Sequence, residues 1–314
     1  MAFAVPKIIY TGAIREVTLG TGPSAVTVGG ESCYPFYVFE GAMPRVPRIA
    51  HEVWDFQPED WPEWAVEPYK DVMSDPVAWA KKSVGTYGAE MIALLLKSAD
   101  PNGRNRDPEV VVATVKAVSD AIAVPLLVWG CANDDKDAVM LRRVAEVCEG
   151  KNVALGPVSE KNYKQIGAMA IGYNQTVIAS TPIDVNLAKQ LNILLGNLGV
   201  QDSRVLIDPT TGGLGYGLEY SYSVIERDRM AALTQQDAKL QAPIICNLAN
   251  EVWKSKEAKT KQSDNPKLGD ETRRAVLMEA VAAMTLSVAG ADILIMRHPD
   301  AISQVKGMLK ELTT

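Results

Sequence analysis

The sequence predicts a (β/α)8 TIM barrel with an N-terminal β-hairpin extension, and three observations predict it. About eight short apolar or β-branched runs follow one another after residue 45. Each is followed by an amphipathic stretch long enough for the dozen or so residues that a parallel crossover needs. Residues 45–314 also match the ~250 residues that such barrels take. An open doubly wound sheet is the alternative, and unit count and length favour the barrel.

Residues 1–44 stand outside the repeat. Residues 14–19 and 25–28 alternate in character around Gly20, Gly22 and Pro23, which reads as a hairpin capping the barrel's lower end. The barrel strands are then expected at 48–54, 90–96, 125–130, 152–158, 176–181, 204–208, 243–249 and 292–298. They are continuously apolar, as strands covered on both faces should be. Between the first strand and its helix, residues 55–75 form a long loop with Trp61, Trp64, Tyr69 and three prolines. Loops of that length are commonly functional, and its aromatics suit either a protein interface or packing on the rim.

Composition narrows the function classes. The chain is 47% hydrophobic and 22% charged, with a net charge of -6. That balance gives no support to binding nucleic acid or an anionic membrane. No apolar run approaches the ~20 residues of a membrane span, and the N-terminus lacks a signal-peptide pattern, so a cytoplasmic location is expected. Cys33, Cys131, Cys148 and Cys246 are widely spaced, and His51 and His298 are the only histidines. Neither an iron–sulfur cluster nor a zinc site can be assembled from that spacing, and buried thiols are the plainer reading.

Ligands of such barrels sit over the C-terminal strand ends, so the loops there supply the candidate residues. The second loop offers Lys97, Asp100 and Asn102; the third offers Trp129, Gly130 and Cys131, with Asp134 placed to cap the next helix. Gly156 and Pro157 follow the fourth strand, and the fifth gives Ser180 and Thr181, with Asp184 starting a helix. The sixth loop is richest: Asp208, Thr210, Thr211, Gly212, Gly213, Gly215 and Gly217. Its glycines let backbone N–H groups approach a polar ligand closely, or simply make a wide turn. The seventh adds Asn247 and Asn250, and the eighth ends at His298, read as a helix cap or packing residue. Asp100 and Asp208 are the acids at strand ends, and each precedes a proline, which suits a turn. No two carboxylates pair at acid–base spacing, and no Ser–His–Asp arrangement is present, so no catalytic residue is assigned. The mouth is built of amides, hydroxyls and glycines, suited to holding a ligand rather than transforming one.

Three strings are more specific than generic barrel sequence: FYVFEGAMPRVPRIAHEVWD at 36–55, AEMIALLLKSADPNGRNRD at 89–107 and LIDPTTGGLGYGLEYSY at 206–222. Through them, and essentially end to end, the chain resembles the small subunit of the corrinoid iron–sulfur protein of the reductive acetyl-CoA (Wood–Ljungdahl) pathway. More distantly it resembles the delta subunit of archaeal acetyl-CoA decarbonylase/synthase. The resemblance implies a large partner subunit carrying a [4Fe–4S] cluster and a mobile corrinoid-binding domain. It implies a cobamide shared between that domain and this barrel's mouth, with no cluster or metal ligand on this chain. It further implies that a methyltetrahydrofolate:corrinoid methyltransferase supplies the methyl group and acetyl-CoA synthase receives it.

For such a cofactor the expected contacts are Asn102, Trp129, Gly130, Cys131, Ser180, Thr181, Asp208, Thr210, Thr211, Gly212, Gly213, Gly215, Asn247 and Asn250. A self-sufficient pterin-binding barrel methyltransferase is the competing function, resting on Asp208 and Asn247. A Schiff-base lyase using Lys97 is a third, against which Lys97 reads as an exposed rim lysine.

Overall fold

The first two strands pair with each other: β1 (Val17–Leu19) and β2 (Val26–Val28) form an antiparallel hairpin. In this computed structural model, which describes residues 4–212 and 217–313, eight further strands run parallel. They are β3 (Arg48–Trp54), β4 (Met91–Leu95), β5 (Leu126–Trp129), β6 (Ala154–Val158), β7 (Thr176–Ser180), β8 (Val205–Asp208), β9 (Ile245–Cys246) and β10 (Ile293–Met296). Their spatial order is β8-β7-β6-β5-β4-β3-β10-β9. A parallel bridge between Ile207 and Ile244 joins the outer two strands and closes the ring.

Sequence chemistry explains the helices between them. Asp75, Asp107, Asn133 and Asp184 cap α2 (Pro76–Gly85), α3 (Pro108–Ala121), α4 (Asp134–Val147) and α6 (Val185–Leu198), each accepting from a first-turn N–H. Proline opens α2 and α3, where a missing N–H costs nothing. The set is completed by α1 (Glu63–Val66), α5 (Tyr163–Gly172), α7 (Leu218–Thr234), α8 (Leu248–Lys254), α9 (Lys256–Lys259), α10 (Glu271–Ala289) and α11 (Pro299–Leu312). The helices bury the outer faces of strands such as β4, all five of whose residues are buried. At ~1.5–3 kcal/mol per large apolar side chain, that coverage is what the continuously apolar runs secure.

The hairpin lies at the strands' N-terminal ends. Gly20 N–H donates to the Asn152 carbonyl at 3.0 Å, and Arg15 N–H to the Gln241 carbonyl at 2.7 Å. Val17, Leu19 and Val28 point into the core. Gly20 adopts φ +72° with Pro125 so close that a Cβ would lie 2.7 Å from its ring, so this turn requires glycine.

The structure corrects several sequence expectations. The seventh strand is only Ile245–Cys246, and Leu248 already begins α8, because the apolar run continues straight from strand into helix. Gly156 and Pro157 do not follow β6 but lie inside it, where the register against β7 shifts between Leu155 and Val158. Asn133 rather than Asp134 caps α4, its side chain accepting from Lys136 N–H at 3.1 Å. Trp61, Trp64 and Tyr69 pack on the rim: all three are buried, with Trp61 edge-on to Trp54 and Trp79.

Candidate functional site: the barrel mouth

The mouth divides into a plugged half and an open half. On the plugged side, Glu52 from β3 and Arg297 just after β10 form a buried pair, Nε to Oε2 at 2.5 Å and the second nitrogen to Oε1 at 3.3 Å. The guanidinium lies 3.5 Å from the Trp61 ring centroid and 5.8 Å from those of Trp54 and Trp253. Glu279 of α10 accepts from the N–H groups of Arg297 and His298 and from Trp253 Nε1. Burial pushes the Glu279 carboxyl up to about 7 despite those donors. His298 caps α11 by accepting from Asp300 N–H at 3.2 Å and stacks on Trp253. The sequence reading missed this plug. Its signal was a lone charge inside each of two apolar strand runs, Glu52 and Arg297, which a barrel interior tolerates only when paired.

On the open side, hydroxyls, an amide and one acid converge from β7, β8 and β9. Ser180 Oγ donates to Asp208 Oδ2 at 2.8 Å, and Thr210 N–H to Oδ1 at 3.0 Å. Burial raises the Asp208 carboxyl to about 6, against those two bonds. Thr210 holds φ +60°, which a β-branched residue adopts only under constraint. Its hydroxyl bond to the Thr181 carbonyl, 2.6 Å, is part of that constraint. Thr211 Oγ donates to the Asn247 carbonyl at 2.7 Å, so adjacent strand ends are tied by side chains. Two buried oxygens here, Thr181 Oγ1 and Asn247 Oδ1, have no hydrogen-bond partner among the described residues. Beside Thr181 a cavity of about 340 Å³ opens, lined by Asp134, Ser159, Ser180, Leu187 and Leu191.

The third loop is folded on a carboxylate. Asp137 Oδ1 accepts from Cys131 N–H at 2.9 Å and from the thiol at 3.3 Å, and a Cβ on Gly130 would overlap that carboxylate. Burial first, then the Asp137 charge, pushes the Cys131 thiol up to about 12. Trp129 beside them is buried.

The remaining candidates are more dispersed. Asn102 is exposed in a turn, its N–H donating to Asp100 Oδ1 at 2.8 Å, and does not join the Asp208 cluster. Asn250 is half-buried and donates to Glu251. Gly212 is half-buried at the end of the sixth loop's described part, while Gly213 and Gly215 lie outside the described residues. Lys97 is not an exposed rim lysine: it is half-buried, with Nζ 5.9 Å from the Trp54 ring centroid. Away from the mouth, a larger apolar cavity of about 680 Å³ runs along α8 and α10, past Val252, Leu268, Leu277 and Val281. Among the described residues no cluster of three or more His, Cys, Asp or Glu is placed to hold a metal, and no helix is long and apolar enough to cross a membrane.

The family model described as CO dehydrogenase/acetyl-CoA synthase delta subunit matches residues 16–310. The acetyl-CoA decarbonylase/synthase complex subunit delta of Archaeoglobus fulgidus is 34% identical over 316 residues, covering 96% of this chain and 69% of its own. Its counterpart in Methanothermobacter thermautotrophicus is 33% identical, covering 96% and 76%. That of Methanopyrus kandleri is 35% identical, covering 94% and 74%. Among solved structures, Xanthomonas albilineans dihydropteroate synthase with 4-aminobenzoic acid superposes with TM-score 0.60 at 13% identity, over 95% of this chain and 98% of that one. Dihydropteroate synthase from Thermus thermophilus gives 0.54 at 15% identity, over 90% and 98%. At such identities the likeness is one of fold.

Proposed function

The chain belongs to the CO dehydrogenase/acetyl-CoA synthase delta subunit family, and from that premise we propose that it is the small subunit of a heterodimeric corrinoid iron–sulfur methyl carrier. In this reading the open half of the mouth holds one side of a cobamide whose other side belongs to a large subunit, which also carries the [4Fe–4S] cluster. The cobalt of that cofactor supplies the methyl-carrying chemistry, between a methyltetrahydrofolate:corrinoid methyltransferase and acetyl-CoA synthase.

The observation that carries the reading is the pair of orphaned buried oxygens, Thr181 Oγ1 and Asn247 Oδ1. A buried polar atom without a partner costs about 1–3 kcal/mol, and the amide N–H groups around a cobamide's rim are the donors these atoms lack. Ser180, Thr210, Thr211 and Gly212 flank them, and Trp129, Gly130 and Cys131 of the third loop are proposed as further contacts. Asn102 and Asn250 are proposed as peripheral contacts, and Gly213 and Gly215, outside the described residues, as further ones. Asp208 orients this crescent: both its oxygens are engaged by Ser180 and Thr210. That engagement weighs against the stand-alone pterin methyltransferase, which would want the acid free. The plugged half supports a holding role as well, since its charges are already neutralised inside the chain.

We further take residues 1–44 as an extension on a barrel of 45–314, a division supported by the hairpin's contacts with the lower strand ends. Four free, buried cysteines suit a reducing cytoplasm.

The test is to produce this chain with and without its large partner, purify both anaerobically, and record visible spectra with a cobalt assay. Corrinoid bands confined to the co-purified heterodimer are the expected result. A cobalt-free chain that turns over methyltetrahydrofolate alone would make it a methyltransferase and end the carrier reading.

A further inference from the structure

At the end of the barrel opposite the mouth, two carboxyl groups share one guanidinium. Glu31 of the N-terminal extension, Arg229 of α7 and Asp292 at the start of β10 line one small cavity and are each at most 6% exposed. Asp292 accepts from Arg229 Nη2 and, at 2.5 Å, from the Ile244 N–H. Arg229 spends its other bonds on the Gly290 carbonyl, from Nε at 3.0 Å and Nη2 at 2.5 Å. Two atoms are left over, Glu31 Oε2 and Arg229 Nη1, with no hydrogen-bond partner among the described residues.

The charges do not balance. With both acids ionised the cluster carries a surplus negative charge, and the cavity, about 10 Å³, has room for at most one water to solvate it. The other titratable groups nearby bring no cation to Glu31. They are the buried thiols Cys33 and Cys246 and a third acid, Asp228, beside Arg229 on α7. Arg48 of β3 is already paired with Glu90. A proton is the positive charge that remains. Burial, then the Asp292 charge, push the Glu31 carboxyl up to about 8, and burial raises Asp292 as well against the pull of Arg229.

Glu31 also lies where the extension is fastened. Its carbonyl accepts from the Ile14 N–H at 2.8 Å, and the Ile14 carbonyl accepts from the Gly30 N–H at 3.1 Å. Ile14 packs on Ala232 and Leu233 at the end of α7, where the Gly12 N–H bonds the Leu233 carbonyl at 2.9 Å. From this arrangement, and independently of the carrier reading, we infer that Glu31 and Asp292 hold one proton between them and that this proton pins the N-terminal extension to the barrel. Once it is lost, Glu31 is an unpaired buried carboxylate, and the extension opens to carry it into water.

The sign follows from linkage. The folded extension keeps its proton up to about pH 8, whereas the opened one releases it above ~4.3. The pin's stabilisation is full below the lower value and is lost as pH rises to the upper one.

The test is amide hydrogen exchange of the full chain between pH 6 and 8, corrected for intrinsic exchange and read by mass spectrometry on peptides covering 10–33. In wild type, protection there should fall about a hundredfold across those two pH units, one proton being released on opening. Glu31→Gln, which keeps a donor in place without a titrating proton, should hold it nearly constant. Asp228→Asn should leave the wild-type fall in place. Protection independent of pH in wild type would overturn the inference without recourse to any variant. So would a fall that survives in Glu31→Gln, or one that Asp228→Asn abolishes.

Discussion

Arg297 sets its guanidinium 3.5 Å from the centroid of the Trp61 ring, so a residue following the last barrel strand is clamped by the loop that follows the first. The same guanidinium pairs with Glu52, and both side chains are at most 2% exposed. Removing one member of a buried pair strands the other, at a cost of about 3–5 kcal/mol. Arg297→Met and Glu52→Gln should each lower the urea midpoint accordingly. The double replacement Glu52→Leu with Arg297→Met should recover most of the loss. A double variant as unstable as the sum of the singles would show the pair is not the source.

Asp228 on α7 is buried, and neither carboxylate oxygen has a hydrogen-bond partner among the described residues. Burial raises its carboxyl to about 7, against ~3.9 in an unfolded chain. Between those values the folded state binds more protons, so this contribution to stability is full below pH ~4 and is lost as pH rises through 7. Asp228→Asn should remove that slope and stabilise the chain at pH 8 by on the order of 4 kcal/mol. Urea unfolding at pH 5, 6, 7 and 8 measures it, and a slope unchanged by the substitution would assign the pH dependence elsewhere.

The Cys131 thiol donates to Asp137 and sits at about 12, so it should react slowly with iodoacetamide at pH 8. Asp137→Asn removes the adjacent anion, the second cause of that rise, and should speed alkylation several-fold without reaching the rate of a free thiol, because burial remains. Peptide mass spectrometry of the modified site reads both rates; identical rates would mean Asp137 does not control the thiol.

Thr181→Val deletes an orphaned hydroxyl oxygen while keeping the side chain's shape. In the isolated chain it should be neutral or stabilising by about 1 kcal/mol, whereas in the heterodimer it should reduce cobamide retention. Melting curves and cobalt content report the two effects separately. Loss of stability with retention intact would assign Thr181 to the scaffold.

Much of this architecture was legible because parallel barrel strands announce themselves as buried apolar runs: all eight are present, most within one or two residues of expectation. The exception, β9, was misjudged because Leu248 and Ala249 continue the apolar run although the backbone has already turned helical. The open half of the mouth was legible as residue types, since hydroxyls and amides at strand ends have few other uses. What could not be read was pairing. Nothing in the linear order tells that Asp137 turns back six residues to hold Cys131, or that Glu52 meets Arg297 from near the other end of the sequence. Lys97 was misjudged in the same way, since only the fold shows that it is half-buried over the Trp54 ring.

The ring of strands closes through one isolated bridge, Ile207 with Ile244, helped by the Ile207 N–H bond to the Pro243 carbonyl at 2.9 Å. Asp208, Thr211 and Asn247 sit directly above that seam. Anything gripped by them therefore behaves as a clasp across the most thinly sewn pair of staves. Loading the mouth should slow amide exchange along 205–208 and 243–247 more than anywhere else on the wall. The barrel would then sense its cargo in its own hoop tension.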